Sequence, residues 1–250
     1  MKGHWQVSKI SRIVVASVVL SLGSAMAADL PPLYKARPAV AAYNWNGFYV
    51  GAHIGGAWEH RDFSQTTTVG PLVESGSLTS SSVSGGGQIG YNWAINNFLL
   101  GLEADVSGTG LNASTQTFNL VGASPGWNQK TDFFGTARGR VGLISDNWLF
   151  YGTGGLAWAD DQFTRTQLTA GGGSPPAGFV ASNNATRIGW AAGAGIEWGF
   201  AANWSAKLEY LYMNLGSDTF SFTVPSGTFT VREADLTINT VRFGVNYRFY

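Results

Sequence analysis

Phe48-Tyr49-Val50-Gly51-Ala52-His53-Ile54-Gly55-Gly56-Ala57-Trp58 divides at period two. One parity collects Phe48, Val50, Ala52, Ile54 and Trp58; the other holds Tyr49, Gly51, His53, Gly55 and Ala57. Successive side chains of a strand point to opposite faces, so this stretch reads as a strand with one apolar face and one small or polar face. The division recurs downstream. Phe98, Leu100, Leu102, Ala104 and Val106 oppose Glu103 and Asp105; Phe133, Ala137, Val141 and Leu143 oppose Arg138 and Arg140. Ile188, Trp190, Ala192, Ala194, Ile196 and Trp198 oppose Glu197, and Trp204, Ala206, Leu208, Tyr210 and Tyr212 oppose Lys207 and Glu209. Val241, Phe243, Val245, Tyr247 and Phe249 oppose Arg242 and Arg248. Two weaker, Gly-rich segments, Val83 to Trp93 and Trp148 to Trp158, bring the count to eight strands. Each is roughly 9 to 12 residues, and a tilted transmembrane strand needs about 9 to 11.

Where the charges sit decides which way the faces point. No apolar-parity position of the six clear strands is charged, whereas every strand after the first carries charge on the other parity. A soluble eight-stranded barrel would turn the apolar parity inward, and its narrow lumen cannot hold about a dozen aromatic rings. Turned outward, the same residues face acyl chains while Gly, Thr and charged groups fill the lumen. The fold expected is an all-β, eight-stranded antiparallel up-and-down transmembrane barrel. Trp93, Phe98, Trp148, Phe150, Trp198, Phe200, Trp204 and Phe249 cluster near strand ends, as an interfacial aromatic girdle would.

Composition agrees. Of 250 residues 34 are Gly and ten are Trp, only 12% are charged, and there is no Cys. That leaves few charges for a solvated surface and removes disulfides and thiolate metal sites. Acidic and basic residues balance at 15 each with no Lys/Arg cluster, which argues against a nucleic-acid partner. Residues 1–27 read as a cleaved signal peptide: Lys2, Lys9 and Arg12 precede the apolar run Ile13 to Leu22 and the small-residue site Ala25-Met26-Ala27. Its removal leaves 12 basic and 15 acidic residues, a net charge of −3. Residues 28–44, with Pro31-Pro32 and Arg37-Pro38, read as an extended periplasmic leader, and 45–250 as the barrel. No later stretch approaches the ~18 apolar residues of a spanning helix.

Connections alternate in length. Ala94 to Asn97, Ser145 to Asn147 and Ala201 to Asn203 are tight turns, expected at the periplasm. Roughly Glu59 to Ser82, Thr109 to Thr131, Asp160 to Thr186 and Asn214 to Leu236 read as long extracellular loops. Glu103 and Asp105 climb one strand to the height that Arg140 and Arg138 reach on the next, and Glu197, Lys207, Glu209, Arg242 and Arg248 complete an expected ionic network in the lumen. Buried charge is very costly unless paired, so a salt-bridged plug is the favoured reading and a narrow porin the alternative. Catalysis has little support, because no motif sets a serine or an acid beside His53, and no enzyme, cofactor or metal is expected. His53, on the inner parity of its strand, reads first as a lone lumen histidine hydrogen-bonded to its neighbours; with His60, and with Tyr49 and Trp58 near, it is also a weak candidate for binding haem at the cell surface. Gly55-Gly56 precedes no helix and so makes no nucleotide motif.

Several motifs carry a family likeness: Ala28-Asp29-Leu30-Pro31-Pro32, Trp45-Asn46-Gly47-Phe48-Tyr49-Val50-Gly51, Gly90-Tyr91-Asn92-Trp93, Gly101-Leu102-Glu103-Ala104-Asp105, Arg138-Gly139-Arg140-Val141-Gly142 and the closing Val241 to Phe249. Across almost the whole mature chain the sequence resembles the small outer-membrane β-barrel proteins abundant in alphaproteobacteria, often labelled porin-family and similar to the transmembrane barrel of OmpA. The resemblance implies residence in the outer membrane of a Gram-negative cell, among its lipid and lipopolysaccharide. It implies insertion by the barrel assembly machinery, which reads alternating aromatics in the last strand. Phe243, Tyr247 and Phe249 match that pattern, with Tyr250 one residue beyond it. Some relatives bind haem and some are surface antigens. OmpA's peptidoglycan-binding domain has no expected counterpart here. The role expected is an envelope-integrity barrel presenting surface loops, of unassigned oligomeric state.

Overall fold

Three two-residue turns, Asn96–Asn97, Asp146–Asn147 and Ala202–Asn203, set one end of the molecule. Asn96 (φ 55°) and Asp146 (φ 53°) adopt the left-handed conformation that tight hairpins require and that Asn and Asp tolerate. The computed structural model describes residues 43–68, 70–118, 122–172, 174–225, 227–233 and 235–249, with backbone alone over 70–73. The stretches read from sequence as signal peptide and leader, except residues 43 and 44, lie outside the described residues.

Ten strands follow in order: β1 (Gly47–Thr67), β2 (Gly70–Ile95), β3 (Phe98–Gln116), β4 (Ser124–Ser145), β5 (Trp148–Thr169), β6 (Val180–Ala201), β7 (Trp204–Asn214), β8 (Asp218–Val224), β9 (Gly227–Glu233) and β10 (Thr237–Arg248). Each of β1 to β6 pairs antiparallel with the next, β7 pairs with β10, and β10 closes on β1. Across the apolar belt the result is a ring of eight strands without a free edge, the solution a bilayer demands of β structure. Register places Val50 opposite Tyr247 and Ile54 opposite Phe243, so apolar parities match across the closing seam.

The apolar parity is exposed: Ile54, Leu102, Phe98, Ile188 and Phe243 each keep half or more of their surface open. All eight expected girdle aromatics are exposed with them, and Trp148 stacks on Trp198 at 5.9 Å. A continuous apolar belt of this extent faces hydrocarbon, since soluble surfaces rarely carry patches above a few hundred Å². On β1 the belt runs from Phe48 to Trp58.

Two readings of the sequence need correction. The four long connections are mostly strand, because β1 continues to Thr67, β3 to Gln116, β5 to Thr169, and β4 and β6 begin at Ser124 and Val180. The outer face of these extensions is largely Ser, Thr, Asn, Gln and charged residues, and the inner face mixes the same types with Phe63, Trp127 and Phe163, so apolar alternation lapses although the backbone pairing does not. The second correction is the β8–β9 hairpin, read as loop. Each of its strands is too short to span a membrane, and β9 adds to the upper end of β1, Phe63 to Thr67. Bulges between Gly108 and Leu111 and between Thr131 and Phe134 shift the parity, so Phe133 faces out and Phe134 faces in.

Candidate functional site

The inward parity of β5 reads the lumen from the tight-turn end upward: Leu149, Tyr151, Thr153, Ala157, Ala159, Asp161, Phe163, Arg165. Apolar and ionic residues alternate along the axis, and the other strands follow suit. At the tight-turn mouth, Tyr43 and Trp45 enter the barrel and pack with Leu99, Leu149 and Tyr151. Asn147 Oδ1 accepts from the Tyr43 backbone N–H at 3.1 Å, and the guanidinium of Arg248 lies against the rings of Tyr43, Trp45 and Tyr49 while donating to the Trp45 carbonyl.

Above this mouth the structure brings together all nine lumen residues named from sequence. Glu103 accepts from Lys207 Nζ at 2.9 Å, Arg138 Nη2 at 2.8 Å and Tyr49 hydroxyl at 2.8 Å. Asp105 pairs with Arg242 at 2.8 Å and Arg138 at 3.0 Å. Glu209 takes Arg242 at 2.6 Å and Arg138 at 3.1 Å. Glu197 takes Arg140 at 2.7 Å, with Arg248 at 3.7 Å. Every one of these side chains is essentially inaccessible. Four carboxylates face five cations, so the layer carries one excess positive charge. Glycines make room for the tyrosines in it: a Cβ on Gly90 would lie 2.4 Å from the Tyr49 hydroxyl, and one on Gly195 2.5 Å from that of Tyr151.

His53 belongs to this interior. One ring nitrogen meets Gln88 Oε1 at 2.6 Å and the other Ser107 Oγ at 2.8 Å, with Gln88 passing the chain to Asn246 and thence to Glu197. A serine therefore does stand beside His53, which no motif signalled, but Ser107 is fully buried. With both nitrogens engaged inside the wall, His53 is the hydrogen-bonded lumen histidine that its inner parity indicates, and the weak haem alternative does not fit it. His60 is exposed and bonds Thr79 Oγ1 at 3.0 Å.

Next comes a belt of Ala57, Leu111, Phe134, Ala157, Ala159, Ala191, Leu211, Met213, Leu215, Leu236 and Ile238, all buried inside the ring. A second ionic layer, which the sequence did not reveal, lies on top of it. Arg61 and Arg187 pair with Asp161 at 2.7 and 2.6 Å, and both pair with Glu233. Beside them Glu59 is buried against neutral donors only, Gln129, Thr131 and Ser80. Burial pushes its carboxyl up to about 6 despite nearby Arg61, and burial also raises Glu233. Phe63, Leu78, Ala113, Trp127, Phe163 and Val231 cap the stack. Arg165 lies 5.6 Å from the Trp127 ring and 5.4 Å from that of Phe222, its pKa lowered by burial to about 10. These upper residues sit in segments taken for loops. Their signal was period-two placement of Arg61, Phe63 and Gln65 in phase with Tyr49, His53 and Ala57.

An outward apolar belt around a closed eight-strand ring coincides with a family assignment: the model of the outer membrane protein beta-barrel domain matches residues 15–249. The chain belongs to this family. It is an outer-membrane protein. Among its relatives, the 31 kDa outer-membrane immunogenic protein of Brucella melitensis is 32% identical over 95% of this chain and 99% of its own length. The 22 kDa outer membrane protein of Rhizobium leguminosarum is 30% identical over 85% of this chain and 82% of its own. Among solved structures, the outer membrane protein OprG of Pseudomonas aeruginosa matches 83% of this chain and 99% of its own at 14% identity and a TM-score of 0.45. Within this family of barrels, the lumen described above is the feature to be explained.

Proposed function

We propose that this protein is a closed structural barrel of the outer membrane, without a through-pore and without catalytic activity, that supports the envelope and displays its strand extensions at the cell surface. The observation carrying this reading is the layered lumen. An ionic layer satisfied by its own side chains lies between an aromatic mouth and an apolar belt, and ions crossing such a stack would have to shed water against Phe134, Met213 and Leu211. An eight-stranded ring is about as wide as its own side chains fill. The tight turns then face the periplasm and the long extensions face outward, as in other barrels of this kind, and lipopolysaccharide surrounds the upper belt. That two relatives are named immunogenic proteins supports surface display. Phe243, Tyr247 and Phe249 line the outer face of β10 beside Trp204 and Phe48, which suits recognition by the assembly machinery. Ser107 and His53, sealed in the wall, leave no room for a substrate.

Planar-bilayer recording tests the closed lumen, and the expected record is indistinguishable from that of an empty bilayer. Reproducible single-channel steps would overturn it in favour of a narrow porin. Cysteines placed at Gly172 and Ala202 test the orientation: intact cells should take up an impermeant maleimide at the first position and not at the second.

A further inference from the structure

Above the membrane belt the ring changes members. β7 stops at Asn214, where it pairs with Trp190, and β10 starts at Thr237, so neither accompanies β6 over Val180–Gly189. The β8–β9 hairpin occupies their place: β9 pairs with β1 on one side and β8 on the other. Between β8 and β6 no backbone pairing exists among the described residues. Their Cα atoms stay more than 8 Å apart along nearly all of the facing length. Even so, the strands lie in a fixed antiparallel relation. Asn183 Nδ2 donates to Asp218 Oδ2 at 2.9 Å, and four residues farther up, Phe179, just before β6 begins, meets Phe222 of β8 at 5.4 Å.

Two strands with one between them stand about 9.6 Å apart; β6 and β8 lie beyond 8 Å along most of their facing length, yet stay close enough for the short side chains of Asn183 and Asp218 to meet at 2.9 Å. The gap thus has the width of one strand and is bounded by two edges whose N–H and C=O groups lack backbone partners. Natural edges are usually protected by lysine, proline or a bulge; Asp218-Thr219-Phe220-Ser221-Phe222-Thr223-Val224 has none of these. On its inner side the gap is floored by Phe220, Phe222 and Phe163, the last 6.3 Å from Phe220. Ser182, Thr219 and Ser221 are exposed on its outer side.

We propose that this gap is a docking slot for one extended segment of a partner polypeptide, inserted between β6 and β8 with apolar side chains alternately on the aromatic floor and polar ones toward water. Backbone pairing on both edges supplies affinity, and the floor supplies the preference for alternation. The proposal rests on the reading above only for the side of the membrane from which the partner comes. If that reading failed, the labelling of cells would show it and binding to the purified protein would be unaffected.

The test uses the full chain folded in detergent micelles and a fluorescein-labelled synthetic heptapeptide of the β8 sequence, followed by fluorescence anisotropy. Saturable binding is expected, weakened by about tenfold or more when alternate peptide amides are N-methylated, since that removes half the ladder donors. Asn183→Cys with Asp218→Cys, bridged by a short bismaleimide, should abolish binding, while the unbridged double variant retains it. Absent binding, equal affinity for the methylated peptide, or indifference to the bridge would overturn the proposal. So would bridge-sensitive dimerisation of the barrel without peptide, which would assign the slot to a second copy.

Discussion

Arg61 from β1 and Arg187 from β6 reach into the lumen and close on the same two carboxylates. Arg61 Nη2 lies 2.7 Å from Asp161 Oδ1 and Arg187 Nε 2.6 Å from Asp161 Oδ2, and both guanidiniums also hold Glu233. Four strands, β1, β5, β6 and β9, are tied through one ring of charges. Because Glu233 ends β9, the ring also fastens the β8–β9 hairpin to the wall above the membrane.

Arg187→Leu should therefore weaken the upper half specifically. It removes one of two cations from a pair of buried carboxylates, a change that typically costs about 3–5 kcal/mol because charge is left uncompensated. The expected result is a lower temperature for conversion of the folded, fast-migrating band on gels, together with protease cleavage within β8–β9. An unchanged conversion temperature would show that the ring contributes nothing net.

Glu59 gives the protein a pH dependence of definite sign. Its carboxyl, normally near 4.5, is raised to about 6 in the folded state by burial. The folded protein therefore binds more protons than the unfolded chain between these values, and stability falls as pH rises through them. The full effect is about 2 kcal/mol, since a tenfold change in proton affinity is worth about 1.4 kcal/mol. Thermal conversion measured from pH 4 to 8 should drop across that window for the wild type and stay flatter for Glu59→Gln. Equal slopes would assign the effect to Glu233 or another group.

The lower ionic layer should tolerate charge reversal even less. Arg138 alone contacts Glu103, Asp105 and Glu209, so Arg138→Glu sets four carboxylates together in a sealed space. No heat-shifted band is expected in outer-membrane fractions. Arg138→Met, which fills similar volume without adding a negative charge, should recover a detectable fraction; failure of both alike would point to packing rather than charge as the cause.

How much of this was legible beforehand follows from which residues sit where. Ile54, Leu102 and Ile196 face lipid, so strict alternation with Gly, Glu or Arg marked their strands, and the heights of Glu103, Asp105, Arg138 and Arg140 above the tight turns placed them in one layer. Glu59, Arg61, Asp161 and Arg187 escaped notice because beyond Trp58 the outer face turns polar: His60, Asp62 and Ser64 face water as Glu59 and Arg61 face the lumen. With both faces polar, period two loses its contrast and a paired strand looks like a loop. The lumen position of His53 was legible from its parity, but the groups it bonds were not. Its partners Gln88 and Ser107 come from β2 and β3, and only the register joins them.

The mouth at the tight-turn end separates sealing from stability. Trp45 is almost wholly buried, packs on Tyr43 at 4.6 Å, donates toward the Asp146 carbonyl and accepts from Arg248 through its own carbonyl. Trp45→Ala leaves that backbone bond possible but removes the ring, and large-to-small changes of this kind cost about 3–5 kcal/mol. The folded band should accordingly convert at lower temperature. Conductance should remain absent, because the belt of Phe134, Leu211 and Met213 still closes the axis above. Trp45→Ala combined with Met213→Ser and Leu211→Ser removes two seals, leaving the upper cap to be breached as well before ions pass. Single-channel steps from Trp45→Ala alone would mean that the mouth is the gate, and the layered lumen a set of structural layers around a conducting path.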